Sequence, residues 1–278
     1  MKLAIIFPTL NQQDLTHTAV DCATSNLNAP REVIVLDNNS EVPYETRGEI
    51  LVSLGKNIGV YPAFWEALKH TDADILAFFH TDLLIAEKGW DERMIKQFED
   101  NPKLGLVGFI GSNEIDSGGG RGYGTTSNFQ GLTTGHRNKH GVDKQWIGSP
   151  AKAHGRSDSG FSPAAVVDGC AMIFRRAVLE QIKQRENFPP HHFYDRLLSS
   201  ETREAGWTMG VLGIACDHIS GQTVNQEPAY NAFAEQWATT HGFAKGDLHN
   251  WDSVLYKEAE RQWLTEYRDV KHLVPCHV

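Results

Sequence analysis

Three short apolar runs, at residues 3–7, 33–36 and 75–79, each stop at a cluster of turn-forming polar residues. This repeated punctuation constrains the fold more than any other feature of the chain. Uninterrupted apolar runs of that length are the pattern of strands buried on both faces. Helical stretches fall between them: Asp14 can cap a helix running to about Leu27, and a second helix is expected near residues 61–70. Residues 90–99 read as a helix that stops before Pro102, and 106–110 as another strand. Strands alternating with helices imply a parallel sheet with right-handed crossovers, which binds ligands at the carboxyl ends of its strands. The polar clusters at 8–11, 37–40 and 80–82 all follow strands, so they are expected to converge on one crevice.

From Gly111 to about Pro163 glycines dominate and apolar periodicity vanishes, the pattern of a long insertion in a compact domain. Six basic residues (Arg121, Arg137, Lys139, Lys144, Lys152, Arg156) stand there against four acids, in a chain whose formal net charge is −9. That overall charge disfavours a broad grip on nucleic acid, which needs clustered cations. Order returns at 164–174, followed by helices at 176–185 and 194–205, a His/Pro-rich turn at 188–192 between them, and a strand at 209–214. After Gln222, Tyr230, Phe233 and Trp237 lie at helical spacing, which reads first as core packing. The expected organisation is a domain over 1–224, with a flexible active-site insertion at about 112–162, and a helical extension over 225–278 packed on it.

No run reaches the roughly 20 apolar residues of a membrane span, and the apolar N-terminal stretch is too short for a signal peptide. Cys22, Cys170, Cys216 and Cys276 have no CxxC spacing, so neither a zinc knuckle nor a disulfide framework is indicated and a cytoplasmic setting is expected.

Several polar residues have the chemistry of a nucleotide site. Thr9, Asn11, Asp37 and Asn39 supply the carboxylate and amide groups that read a base and ribose, although helix caps and turns use the same residue types. Asp82 at the mouth of a crevice is a natural hard ligand for Mg²⁺ or Mn²⁺; an N-cap is the plainer role. His218 can complete a metal site, bond a phosphate or serve structure alone. Asp195 is placed to take a proton from a hydroxyl, or simply to start a helix.

In order along residues 3–223, "IIFPTLN", "VIVLDNNS", "GKNIGVYPAFWEALKH", "ILAFFHTDLLI", "VDGCAMIFRRAVLEQI", "HHFYDRLLSSETREAGW" and "ACDHISGQT" resemble the motifs of family 2 glycosyltransferases. The resemblance implies an α/β GT-A fold: a mostly parallel central sheet flanked by helices, with the Gly-rich insertion and a helical C-terminal region. It implies a nucleotide-sugar site containing Pro8, Thr9, Asn11, Asp37, Asn39, Asn57, Gly59 and Thr81, with Asp168 and Gly169 near the donor sugar. Only the last acid of the DxD metal motif is present, as Asp82; His80 stands at the first, and His218 is implied as a further metal ligand. Asp195 carries over as the catalytic base, while Leu197 replaces the next acid. Arg121 and Arg137 of the insertion are expected to close over the donor.

The activity so implied is transfer of a sugar from a UDP-, GDP- or dTDP-linked donor to an acceptor hydroxyl, inverting and assisted by Mn²⁺ or Mg²⁺. A glycan or small molecule is favoured as acceptor. One alternative is a modified nucleic-acid base, read by the basic insertion with Tyr123, Phe129 and Trp146. Another is a nucleotidyltransferase, or a binding protein that kept the crevice and lost catalysis.

Overall fold

The computed structural model describes residues 1–115, 118–119, 160–219, 228–267 and 272–273. The chain begins with β1 (Leu3–Thr9), α1 (Gln13–Ser25), β2 (Glu32–Asp37), β3 (Ile50–Ser53), α2 (Val60–Leu68) and β4 (Ile75–Phe79). β5 (Leu83–Ile85), α3 (Trp90–Asp100), β6 (Leu104–Gly108), β7 (Gly111–Ser112) and β8 (Glu114–Ile115) follow. Beyond them come β9 (Phe161–Pro163), β10 (Val166–Val167), β11 (Ala171–Arg175), α4 (Arg176–Gln181), α5 (Tyr194–Glu204), β12 (Thr208–Leu212) and β13 (Cys216–His218). The chain continues with α6 (Pro228–Thr240), α7 (Trp251–Tyr267) and β14 (His272–Leu273).

Eight strands form one sheet in the order β3-β2-β1-β4-β11-β6-β12-β9. β1, β2, β3 and β4 run parallel, as the alternation with helices requires, and β12 runs parallel to β6. β11 lies antiparallel between β4 and β6, and β9 antiparallel to β12. Three two-stranded ribbons, β10-β7, β13-β5 and β14-β8, stand beside the sheet.

The continuous apolar runs are explained by burial on both faces. In β1, Ala4 and Ile6 point into one core with Leu76 and Phe78 of β4, covered by α2, α4, α5 and α7. Leu3, Ile5 and Phe7 point into the other core, covered by α1 and α3. Each fully buried aliphatic or aromatic side chain contributes about 1.5–3 kcal/mol relative to exposure, so these strands are held by packing. The C-terminal region joins this core through Trp263 and Tyr267 of α7, while Ala234 and Ala238 of α6 pack on Val254 and Leu255.

Several expected boundaries shift. Pro8 lies inside β1, opposite Leu36 of β2. α1 begins at Gln13 with Gln12 in the cap position, so Asp14 is a first-turn residue, favourable to the helix dipole, and caps nothing. The helix expected to Arg185 stops at Gln181. The expected insertion is trimmed at both ends, because 111–112 and 114–115 form β7 and β8 and 161–163 form β9. Among the described residues no helix is long and apolar enough to cross a membrane.

Phe64 of α2 packs with its ring 4.3 Å from Phe78 and 5.6 Å from Phe174. Phe64→Ala should therefore lower stability by about 3–5 kcal/mol, read as a fall in the urea midpoint at unchanged slope. Ile50→Ala, on the half-exposed edge strand β3, should cost less than about 1 kcal/mol.

Candidate functional site

The first part of the site is built where β1 and β2 end side by side, with Thr9 opposite Asp37. Asp37 is buried, and its two carboxylate oxygens accept the N–H groups of Ser40 (2.9 Å) and Tyr44 (3.1 Å). It thus folds the following loop back over the strand ends. Asn11 adopts the left-handed conformation (φ 54°), donates its N–H to Ser40 Oγ at 2.8 Å and accepts from Glu41 N at 2.7 Å. Asn39 is also left-handed (φ 69°), a conformation asparagine tolerates better than most residues. Thr9 bonds Thr16 of α1 at 2.7 Å. Thr9, Asn11, Gln13, Ser40, Glu41, Val42 and Tyr44 line a cavity of about 310 Å³, and Asp37 holds two of these residues, Ser40 and Tyr44, in place by their N–H groups.

Asn38 organises the next segment, a role the sequence reading did not assign it. Its side chain accepts from Ile58 N (2.9 Å) and donates to Gly59 O (3.2 Å), while Asn57 accepts from Gly59 N (2.9 Å). Gly59 has φ 80°, and a Cβ there would collide with Pro190. The Pro190 carbonyl in turn accepts the first two N–H groups of α2, from Val60 (3.0 Å) and Tyr61 (2.9 Å). Asn57 and Gly59 therefore hold the start of α2 against the segment that leads into α5.

The second part gathers beyond the end of β4. β13 pairs antiparallel with β5, putting His218 opposite Leu83, and His218 Nε2 comes within 3.4 Å of Asp82 Oδ1. On the other side Ala171 of β11 pairs with Phe79, so the 168–170 turn meets His80, whose N–H donates to Cys170 O at 3.0 Å. Asp168 Oδ1 accepts from Cys170 N at 2.9 Å. A Cβ on Gly169 would strike the Tyr194 hydroxyl, so glycine is what lets that hydroxyl through to His80. Tyr194 Oη bonds His80 Nε2 at 2.6 Å, and His80 Nδ1 lies 3.8 Å from Asp82 Oδ1. Thr81 donates to Gln12 Oε1 at 2.6 Å, which joins this part of the site to the start of α1.

The electrostatics follow from the crowding. Burial lowers the His80 imidazole below its ordinary value, Asp82 opposes this and His218 adds to it, so that the neutral form is favoured. Burial pushes the Asp82 carboxyl up, but His218 and His80 outweigh it and hold it below the usual range, so Asp82 is charged. Burial, then the carboxylates of Asp195, Asp168 and Asp82, keep the Tyr194 phenol protonated.

Asp195 is in the first turn of α5, buried, with Oδ1 accepting from Arg196 N (2.9 Å) and Arg196 Nη1 (3.0 Å). Phe193, just before this helix, is left-handed (φ 56°), a costly state for a bulky residue. It is wedged by Tyr256 and Trp263, with the Arg196 guanidinium over its ring at 4.6 Å. Leu197 is buried in the core.

The ligand atoms of His80, Asp82 and His218 all lie within 4.8 Å of one another, as do those of Asp168, Cys170 and His218. Two imidazoles and a charged carboxylate fit a divalent transition ion. The structure thus brings together Asp82, His218, His80, Thr81, Asp168 and Gly169, with Tyr194 and Asp195 beside them. Asp37, Asn39, Asn11, Thr9 and Pro8 form the adjoining β1/β2 end. Arg121, Arg137, Tyr123, Phe129 and Trp146 lie outside the described residues. Sequence reasoning missed Tyr194 and Cys170, both apolar-looking members of runs whose polar atoms matter only once β11 is known to reverse.

No curated protein matches the chain in sequence. Among solved structures it is similar to the mannosyltransferase PcManGT from Pyrobaculum calidifontis, in complex with GDP-Man and Mn²⁺, at 15% identity and a TM-score of 0.53, over 96% of this chain and 70% of that one. It is similar also to S. aureus TarS 1–349, at 15% identity and a TM-score of 0.48, over 97% of this chain and 74% of that one. Likeness at this identity concerns the fold, and that fold is GT-A, a mixed α/β sheet flanked by helices with a helical C-terminal region. Residues 37–242, which hold both Asp37 and the whole His80–Asp82–His218 centre, match the model of the Glycosyltransferase like family; the chain belongs to that family and is a glycosyltransferase of the GT-A type.

Proposed function

We propose that the protein transfers a sugar, a hexose in the first instance, from a nucleoside-diphosphate donor to an acceptor hydroxyl with inversion at the anomeric carbon. The observation that carries this reading is the convergence of Asp82, His218, Asp168 and Tyr194 beyond the end of β4, beside the cavity at the end of β1 and β2. In this reading Thr9, Asn11, Asp37 and Asn39 shape the nucleotide end, with Asn57 and Gly59 supporting it. Thr81, Asp168 and Gly169 border the diphosphate and sugar. Asp82 and His218 would hold a divalent ion, which would offset the charge of the leaving nucleoside diphosphate. The similar mannosyltransferase was solved with Mn²⁺, and a divalent transition ion is the class read here.

Asp195 accepts the proton of the acceptor hydroxyl, because an alcohol is a poor nucleophile at pH 7 without a base. Arg196 holds that carboxylate in one orientation through Oδ1. Tyr194, protonated throughout, takes no part as a base and acts through its hydrogen bond to His80. Among the described residues the buried Cys22, Cys170 and Cys216 form no disulfide, which suits a reducing compartment such as the cytoplasm. A glycan or small-molecule acceptor is preferred over nucleic acid on the net charge of −9.

Asp195→Asn should cut transfer about 10²–10⁴-fold while nucleoside-diphosphate affinity, measured by calorimetry, stays within a few fold. Normal turnover by this variant would remove Asp195 from the reaction. The released product tests the reaction class: incubation with UDP-, GDP- and dTDP-sugars should liberate the matching nucleoside diphosphate. Release of pyrophosphate from a sugar phosphate and a nucleoside triphosphate would instead identify a nucleotidyltransferase.

A further inference from the structure

We infer that His80 is itself a metal ligand, oriented by Tyr194, so that the centre takes a borderline ion such as Co²⁺ or Zn²⁺ through two imidazoles and one carboxylate and discriminates against Mg²⁺. The inference deepens the reading above and rests on its assignment of a divalent ion to Asp82 and His218.

The ring orientation is the first support. His80 Nε2 is engaged by Tyr194 Oη at 2.6 Å, and in the tautomer that carries the ring proton on Nε2 the Nδ1 lone pair is left for a ligand; Nδ1 is the atom that lies 3.8 Å from Asp82 Oδ1. Ligating histidines characteristically have their second ring nitrogen fixed by such an outer partner. The Tyr194 hydroxyl can take that part because Gly169 leaves it the room to reach His80.

Spacing is the second. Metal–nitrogen and metal–oxygen bonds of about 2.0–2.1 Å in a tetrahedron set ligand atoms about 3.4 Å apart, whereas the octahedron Mg²⁺ demands sets adjacent ligands at about 2.9 Å. Asp82 Oδ1 and His218 Nε2 are 3.4 Å apart and His80 Nδ1 and Asp82 Oδ1 3.8 Å, both wider than the octahedral spacing.

Donor type is the third. Mg²⁺ is held by oxygens and keeps its waters, while imidazole favours Zn²⁺, Co²⁺ and their neighbours. The adjoining set that shares His218 offers Asp168 and the Cys170 sulfur, a soft atom that does nothing for Mg²⁺.

The test uses the full chain loaded with one equivalent of Zn²⁺ or Co²⁺. X-ray absorption should show two imidazole ligands; one or none would overturn the inference without touching the donor assignment, which the nucleotide-sugar assay reads separately. Equilibrium titrations should give Tyr194→Phe a 10–100-fold weaker Co²⁺ affinity with an unchanged thermal midpoint in the absence of metal. His80→Asp should lower the ratio of Mg²⁺ to Co²⁺ dissociation constants at least tenfold. Should that ratio hold and Tyr194→Phe bind Co²⁺ as the parent does, His80 is a structural residue and the inference fails.

Discussion

The candidate centre depends on one reversal of direction in the sheet. β1, β2, β3 and β4 run parallel and end at a common edge, but a neighbour parallel to β4 would begin at the opposite edge and deliver its preceding turn there. β11 runs against β4, with its first residue, Ala171, paired to Phe79, the last of β4. The turn carrying Asp168, Gly169 and Cys170 therefore arrives beside His80, fixed by a backbone hydrogen bond of 3.0 Å. β13 repeats the device in miniature: by pairing antiparallel with β5 it sets His218 one residue from Asp82 across the ribbon. Without these two reversals the same side chains would stand at opposite edges of the molecule.

A second constraint is the seating of α5, which carries Tyr194 and Asp195. The segment before it is held by Pro190, bonded to the start of α2, and by His192, which lies 2.6 Å from Asp252 of α7. Asp252 also accepts the Tyr230 hydroxyl of α6 at 2.7 Å. Burial pushes the Asp252 carboxyl up, but its bonds to His192 and Tyr230 prevail and hold it below the usual range. Arg185 bridges Glu201 of α5 and Glu266 of α7. Partly exposed pairs of this kind are worth at most about 1 kcal/mol each; the buried rings of Trp263 and Tyr267 supply more of the adhesion. The C-terminal helices thus act on the site through the loop at 188–193.

The strands that frame the crevice were legible because each is a run of apolar residues buried on both faces and stopped by a polar cluster. The edge strand β3 was not, since Ile50 and Ser53 are exposed and Leu51 and Val52 only half-buried, leaving no run to see. β5 and β13, three residues each, are shorter than any periodicity can register, so the pairing that brings His218 to Asp82 is a fact of tertiary structure. The direction of β11 was equally hidden: an apolar run reads the same both ways. Asp82, Asp168, Asp195 and His218 could be picked out by motif order, but the partner of His80 could not. Tyr194 looked like one more aromatic at a helix start, and only the gap over Gly169 reveals where its hydroxyl goes.

The same helix geometry accounts for the missing second acid at Leu197. Successive helical residues turn by about 100°, so Tyr194 and Asp195 serve different directions from one turn: the phenol reaches His80, while Asp195 meets Arg196. Position 197 lies about 200° from Asp195, and its side chain is enclosed in the core that also holds Phe64 and Phe78. A carboxylate among those apolar side chains would be stripped of water, at a cost of several kcal/mol. With α5 seated as it is, position 195 holds a carboxylate beside the Arg196 guanidinium, and leucine stands at 197 where packing demands it.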